Sequence, residues 1–389
     1  MTHRPAIGAK EARRGALRNT KKRGLGGVDR GLATCFALLM AIGLATLYAA
    51  SYYNAQDNGG ALSEVTSQLF GIAVGAAAMA VLLRVDYRTL AKPWLCGGLL
   101  AASFVMLALV AIPGIGRMLN GSRRWLKLGP VSFQPSELGK YAMILYLAKA
   151  LSGKSRDVTR FFRGLMPLFV LPGLMFMLIL LQPNLSTAGS VLIVTAVMVM
   201  IAGARWLHLG MIGAAGAGLG TFYALSEGYR RARLMSFTHP FDFMTNEGYQ
   251  LSQSLLAFGS GGLFGMGVGM GRQKFAFLPY PESDFIFAVV GEDLGFVGCV
   301  AVLAVFAAFL FFGLRVAMRC EDRFGSLLAG GITCMIGVQC VLNVAVVIGA
   351  MPTTGLPLPF FSAGGTSISI LMAAVAVLMN VSREWSRGL

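Results

Sequence analysis

LGFVGCVAVLAVFAAFLFFGL, residues 294–314, is as long as a membrane crossing and contains no charged side chain. About 20 helical residues traverse the hydrocarbon core, and a helix apolar on every side belongs in lipid or deep inside a large core. The same reading recurs outward from this run. Ten such stretches lie at about 31–51, 66–84, 93–112, 135–150, 165–182, 187–204, 208–226, 294–314, 326–349 and 367–381, the fourth being the least apolar because Glu137 and Lys140 stand near its start. Composition agrees: 56% of the 389 residues are hydrophobic and 13% charged, with 50 Gly, 26 Phe and 21 Met, and the mean hydropathy is +0.68. The expected fold class is therefore an all-α polytopic membrane protein of about ten transmembrane helices. The alternation of polar and apolar residues that marks a β-barrel is absent.

Basic residues orient the chain. Residues 1–30 are rich in Lys and Arg, hold only Glu11 and Asp29 as acids, and lack an apolar signal core, so they read as a disordered cytoplasmic tail. With that tail inside, Arg84, Arg88, Lys149, Arg160, Arg205, Arg315, Arg319, Arg383 and Arg387 all fall inside, the pattern that sets topology. Both termini are then cytoplasmic: residues 31–381 form the membrane domain, 382–389 a short tail, and a large outward loop covers about 227–293 between the seventh and eighth helices. The net charge of +16 records topology and contact with anionic membrane lipid, and calls for no nucleic acid.

Two outward segments depart from this pattern. Arg117, Arg123, Arg124 and Lys127 stand between the third and fourth spans, and Arg230, Arg231, Arg233, Arg272 and Lys274 follow the seventh. Headgroup contact accounts for such residues, as does a site for a phosphorylated ligand, whose oxygens Arg matches well. Both segments flank Asp284. The six cysteines lie in spans or at their cytoplasmic ends, which leaves no disulfide framework outside, and His3, His208 and His239 are too few for a usual zinc site.

The outward loop is too long for a plain connection. Its beginning, residues 229–243, is basic and aromatic, suited to lie along headgroups. Residues 248–258 read as a short amphipathic helix with Tyr249, Leu251, Leu255 and Phe258 apolar and Gln250, Gln253 and Ser254 polar. Gly259, Gly261, Gly262, Gly265, Gly267, Gly269 and Gly271 follow; they lack the GK[ST] of a phosphate loop and suit a turn whose backbone approaches its neighbours closely. Asp284, in PYPESDFIF (279–287), is either the cap of the next helix or an ionisable group placed for chemistry at the membrane edge. Glu137 and Lys140 fall at i,i+3 on one helical face, in reach of a local ion pair. Met351–Ser367, too apolar for a solvated loop and too rich in Pro and Gly for a helix, should dip back toward the membrane and line a cavity with Thr353, Thr354, Ser362, Thr366 and Ser367.

These blocks, GSRRWLKLGPVSFQPSELGK, LQPNLSTA, GYQLSQSLLAFGSGGLFGMGVG, RQKFAFLPYPESDFIFAVVGEDLG and MPTTGLPLPFFSAGGTS, resemble in order those of the SEDS family (shape, elongation, division and sporulation), over nearly all the chain after residue 30. Ala257–Gly259, Gln273–Lys274 and Phe285–Val289 are closer to its division and sporulation branch than to its elongation branch. The resemblance implies a peptidoglycan glycosyltransferase that polymerises lipid II at the outer face of the cytoplasmic membrane by an inverting displacement, for a division septum or a spore. It implies Asp284 as the catalytic carboxylate. Substrate contact would fall to Arg123, Trp125 and Lys127, to Glu137 and Lys140, and to Arg231, Gln253, Arg272, Lys274, Ser362 and Thr366. It also implies a class B penicillin-binding protein as partner, docked through its transmembrane helix. A divalent cation is compatible with the chemistry, although no carboxylate cage stands out. Two positions depart from the family pattern: Asn184 replaces the Asp of the Gln-Pro-Asp-Leu-Gly block, and Glu282 and Ser283 precede Asp284 where a polar residue and Thr are usual. Glu282 would raise the Asp284 pKa by like-charge repulsion. A lipid II flippase would use much of the same surface, and a secondary transporter would suit the span count but should carry charges nearer the bilayer midplane.

Overall fold

The computed structural model describes residues 27–51, 61–119, 122–128, 131–153, 158–225, 236–243, 248–273 and 277–385. Among these the helices are α1 (Arg30–Ser51), α2 (Ala61–Leu82), α3 (Pro93–Ala111), α4 (Pro135–Ser152), α5 (Met166–Leu180), α6 (Leu185–Ile201), α7 (Trp206–Leu225), α8 (Tyr249–Gly261), α9 (Ile286–Arg319), α10 (Arg323–Val347) and α11 (Gly365–Trp385). A helix covers each of the ten apolar runs. Seven are long and apolar enough to cross a membrane, namely α1, Glu64–Leu82 of α2, α3, Phe161–Leu180, α9, α10 and Gly365–Glu384 of α11, and α6 is a shorter apolar helix. The basic tail expected at 1–30 lies outside the described residues as far as residue 26.

Burial sorts the helices. In α10, 67% of the apolar window is buried, against 22% in α2, so α10 stands inside the bundle and α2 faces lipid. The low hydropathy of α4 has the same explanation: Ser136, Glu137, Lys140, Ala142 and Met143 are all buried in protein. Where helices meet, small residues let backbones approach, since lipid supplies no hydrophobic drive for helix association. Gly71 on α2 packs against the backbone of Gly365 on α11, and a Cβ at Gly331 of α10 would lie 2.6 Å from Ile144 of α4 and 2.8 Å from Met198 of α6.

Three expectations change. Between α3 and α4 the chain forms an antiparallel sheet, β1 (Gly116–Leu119), β2 (Ser122–Leu128) and β3 (Val131–Phe133), in the order β1-β2-β3, so the fold is not purely helical. These strands are short and carry charge on both faces, which hides their alternation. The amphipathic helix exists as α8, but its inward side takes in polar as well as apolar residues: Leu251 is buried together with Ser252, Gln253 and Ser254, Leu256 is exposed, and the Ser254 hydroxyl donates to the Val347 carbonyl at 2.7 Å. Lastly, α9 begins at Ile286, inside the expected loop; Phe285–Asp293 is buried throughout, and the helix breaks at Gly295, whose φ of +69° suits only glycine there.

At the end of the bundle where α3 begins, Tyr87 Oη donates to Asp322 Oδ2 at 3.2 Å and to Glu384, and Arg88 pairs with Glu384. Asn380 Nδ2 donates to the carbonyls of Leu82 (2.6 Å) and Val85 (2.5 Å). The sheet and the Asp284 turn lie at the other end of α3, roughly 28 Å away for 19 residues at about 1.5 Å each.

Candidate functional site

Residues 351–364 form no helix or strand, and Leu356, Leu358, Phe360 and Phe361 are buried, as expected of a segment dipping into the bundle. This segment holds the Asp284 turn by its carbonyls. Ala363 N donates to Glu282 O (2.7 Å), and Ser362 Oγ donates to Ser283 O (2.6 Å) while accepting from Leu358 N (2.8 Å). Asn343 Nδ2 of α10 donates to both Asp284 O and Leu356 O, each at 2.7 Å. With three successive carbonyls engaged, the turn has little freedom, and the Asp284 side chain projects from a fixed backbone. Its carboxylate accepts from Ser283 Oγ at 3.0 Å. The cap of α9 is Phe285, with no side-chain capping bond, so Asp284 is not the helix cap.

Asp284 is partly exposed, yet burial raises its carboxyl above the ordinary aspartate range and outweighs the Ser283 hydrogen bond and the Arg124 charge, which both lower it. The raise thus comes from desolvation rather than from the like charge of Glu282. Arg124 stands on β2, where alternation turns it to the same face as buried Leu126 and leaves Arg123, Trp125 and Lys127 on the other. Its Nε donates to Gln182 O (3.1 Å) and its Nη2 to Pro183 O (2.5 Å), which fixes the guanidinium. A Cβ placed on Gly355 would lie 3.1 Å from Asp284 Oδ2 and 3.8 Å from Arg124 Nη1, so the carboxylate and the guanidinium border one small gap.

The residues named from sequence separate into groups. Arg123, Trp125 and Lys127 line the outer face of the sheet, where Arg117 Nη1 donates to Ser132 Oγ at 3.4 Å. Glu137 and Lys140 form a buried ion pair at 2.7 Å, with side chains 6% and 0% exposed. Glu137 lines a cavity of about 20 Å³ with Tyr141, Gln339, Ser362 and Ser367, room for one water. The cavity does not include Thr353, Thr354 or Thr366. Ser362 is committed to the turn, and Thr366 stands partly buried in the first turn of α11. Asn184, at the family's Asp position, caps α6 by accepting from Thr187 N at 3.2 Å. Arg231 and Lys274 lie outside the described residues. Sequence reading counted Arg124 among the loop cations without assigning it to the site, and it missed Asn343; strand alternation marks the first, and a lone Asn in an apolar span marks the second.

The glycine-rich loop has its own ligands. Glu292 Oε1 accepts from the backbone N of Arg272 (2.5 Å) and Gln273 (2.9 Å), while Asp293 accepts from Gly269 N (3.1 Å) and Gly271 N (3.3 Å). A Cβ on Gly271 would lie 2.5 Å from Glu292 Oε2. This loop therefore cradles carboxylates of α9, and the Arg272 side chain points outward, exposed. Among the described residues no three His, Cys, Asp or Glu side chains converge into a group that could hold a metal ion.

Fold and site together define a multi-pass helical membrane protein with a desolvated carboxylate and a fixed arginine facing each other at one end of the bundle. A family model described as "Cell cycle protein", covering FtsW, RodA and SpoVE, matches residues 29–387, and the chain belongs to this family, the SEDS family. It is 43% identical to stage V sporulation protein E of Bacillus subtilis over 89% of this chain and 94% of that protein. It is 40% identical to a probable peptidoglycan glycosyltransferase FtsW of Geobacter sulfurreducens over 79% and 82%. Among solved structures, a chain from "Structural coordination of polymerization and crosslinking by a peptidoglycan synthase complex" superposes with a TM-score of 0.75 at 30% identity, covering 92% of this chain and 98% of that one. Thermus thermophilus RodA does so at 0.68 and 31%, covering 92% and 97%.

Proposed function

We propose that this protein is a peptidoglycan glycosyltransferase that polymerises lipid II at the outer face of the cytoplasmic membrane, with Asp284 as general base. The observation that carries the reading is the Asp284 carboxylate, held by its backbone, desolvated, and set across one gap from Arg124. An acceptor sugar hydroxyl attacks the anomeric carbon of the lipid-linked disaccharide. The new C–O bond forms as the bond to pyrophosphate breaks, the electron pair leaves with the phosphate oxygen, and the hydroxyl proton passes to Asp284. A raised pKa makes the ionised carboxylate a stronger base than an ordinary aspartate. Arg124, already oriented by two carbonyls, stabilises the charge growing on the pyrophosphate. One displacement inverts the anomeric centre and forms no covalent sugar intermediate.

Around this core, Arg123, Trp125, Lys127 and Arg272, with Arg231 and Lys274, serve the anionic parts of the substrate and the lipid headgroups. Ser362 and Gln253 shape the wall of the site, as do Thr366 and the Glu137–Lys140 pair. The partner is a class B penicillin-binding protein. An open apolar groove of about 410 Å³ between α9 and α10, lined by Leu310, Leu314, Cys334 and Val341, suits a partner's transmembrane helix. The polymer serves a division septum or a spore wall, the latter favoured by the likeness to a sporulation protein. Flipping is disfavoured because the far end of the bundle is tied by Tyr87, Arg88, Asp322 and Glu384. The test is purified protein given lipid II in detergent with no other polymerase. Glycan strands are expected; lipid II left unchanged by well-folded protein, alone and with its transpeptidase partner, overturns the reading.

A further inference from the structure

Among the described residues the gap at Gly355 is bordered by two charged groups: within 4 Å of a Cβ there, the atoms outside the local chain are Asp284 Oδ2 at 3.1 Å and Arg124 Nη1 at 3.8 Å. A hydroxyl oxygen surrendering its proton to a carboxylate must approach to about 2.6–3.2 Å. An oxygen standing where that Cβ is absent would therefore be within reach of Oδ2 for proton transfer. We propose that Gly355 is the specificity-determining position of the site, its missing side chain forming the notch through which the acceptor's sugar hydroxyl reaches Asp284. This rests on the assignment of Asp284 as base.

Other left-handed glycines do not share this setting. Gly349, φ +75°, is near only Leu255 and Leu251 side chains, at 3.6 and 3.7 Å, and Gly262, Gly269, Gly114 and Gly203 face open space. Gly355 has φ +68°, so backbone conformation alone also favours glycine, and the two causes must be separated. The walls of the notch are otherwise neutral. Residues 351–364 contain no titratable group, and α10 offers Asn343 here. Arg124 from β2 is the charged group that acts on Asp284 among the described residues, and Glu282 stands two residues before it in the chain.

Three substitutions test this. Gly349→Ala carries the same backbone strain away from the site and is expected to retain polymerisation within a few-fold. Gly355→Ala is expected to lose about 100-fold or more, the scale of a 1 Å misplacement of reacting atoms. Its residual activity should have an acidic limb at higher pH, because a methyl against Oδ2 removes water from Asp284. Gly355→Asn, whose backbone tolerates positive φ, should fold as well as the parent and yet lose activity, which separates filled volume from strain. The proposal is overturned if Gly355→Asn keeps parental activity, or if Gly355→Ala loses no more than Gly349→Ala. Activity surviving in Asp284→Asn would instead remove the base assignment on which the notch depends.

Discussion

Asp284 and the Glu292–Asp293 pair lie eight and nine residues apart at the same end of the molecule and are held in opposite ways. Glu292 and Asp293 are buried and receive four backbone N–H groups from the glycine-rich loop. Asp284 receives one hydroxyl, and what the protein holds firmly is its backbone. The first arrangement answers charge with dipoles and consumes it in structure. The second leaves a carboxylate desolvated and reactive. An acid in a membrane protein is thus a functional candidate only until its donors are counted.

This contrast predicts effects in order of size. The largest loss of stability belongs to a third acid, Glu137, whose charge is met by a buried lysine: Lys140→Met should destabilise by about 3–5 kcal/mol, the usual result of stranding one member of a buried pair, measured by thermal unfolding in detergent. Arg124→Gln should lower the rate of polymerisation about 10²–10³-fold, as removal of one preorganised donor does, and a normal rate would detach Arg124 from the chemistry. Glu292→Ala should cost about 1–3 kcal/mol for each donor left unsatisfied in the loop. Glu292→Gln keeps an accepting oxygen and should cost less, with polymerisation preserved. If Glu292→Gln is instead stable and inactive, the line between the two regions is misplaced.

Stability also has a sign to test at Asp284. Its folded pKa lies above the unfolded value, so the folded state gains from protonation below the unfolded pKa and loses that gain as pH rises through the folded pKa. At neutral pH the ionised carboxylate therefore costs stability. Asp284→Asn should raise Tm at pH 7 and change it little at low pH. The rate, in contrast, should fall as pH drops through that raised pKa.

Much of the fold was legible because lipid imposes a simple rule: apolar runs long enough to span it appear openly, and each of the ten falls on a helix. The sheet between α3 and α4 was not, since short strands with Arg123, Arg124 and Lys127 on both faces show no alternating hydrophobicity. The burial of polar residues on α8 was hidden for a related reason: Ser254 faces a protein interior that supplies a carbonyl, not water. At the site, Asp284 was legible as an ionisable group at a span's edge. Its partners were not, because Arg124, Asn343 and Gly355 come from three distant parts of the chain and meet only once it has folded.

The most direct measurement is glycan polymerisation from lipid II by purified Asp284→Asn. The expected result is no polymer from a protein that folds as well as the parent and melts no lower. Parental activity in that variant would contradict the assignment of Asp284 as the base.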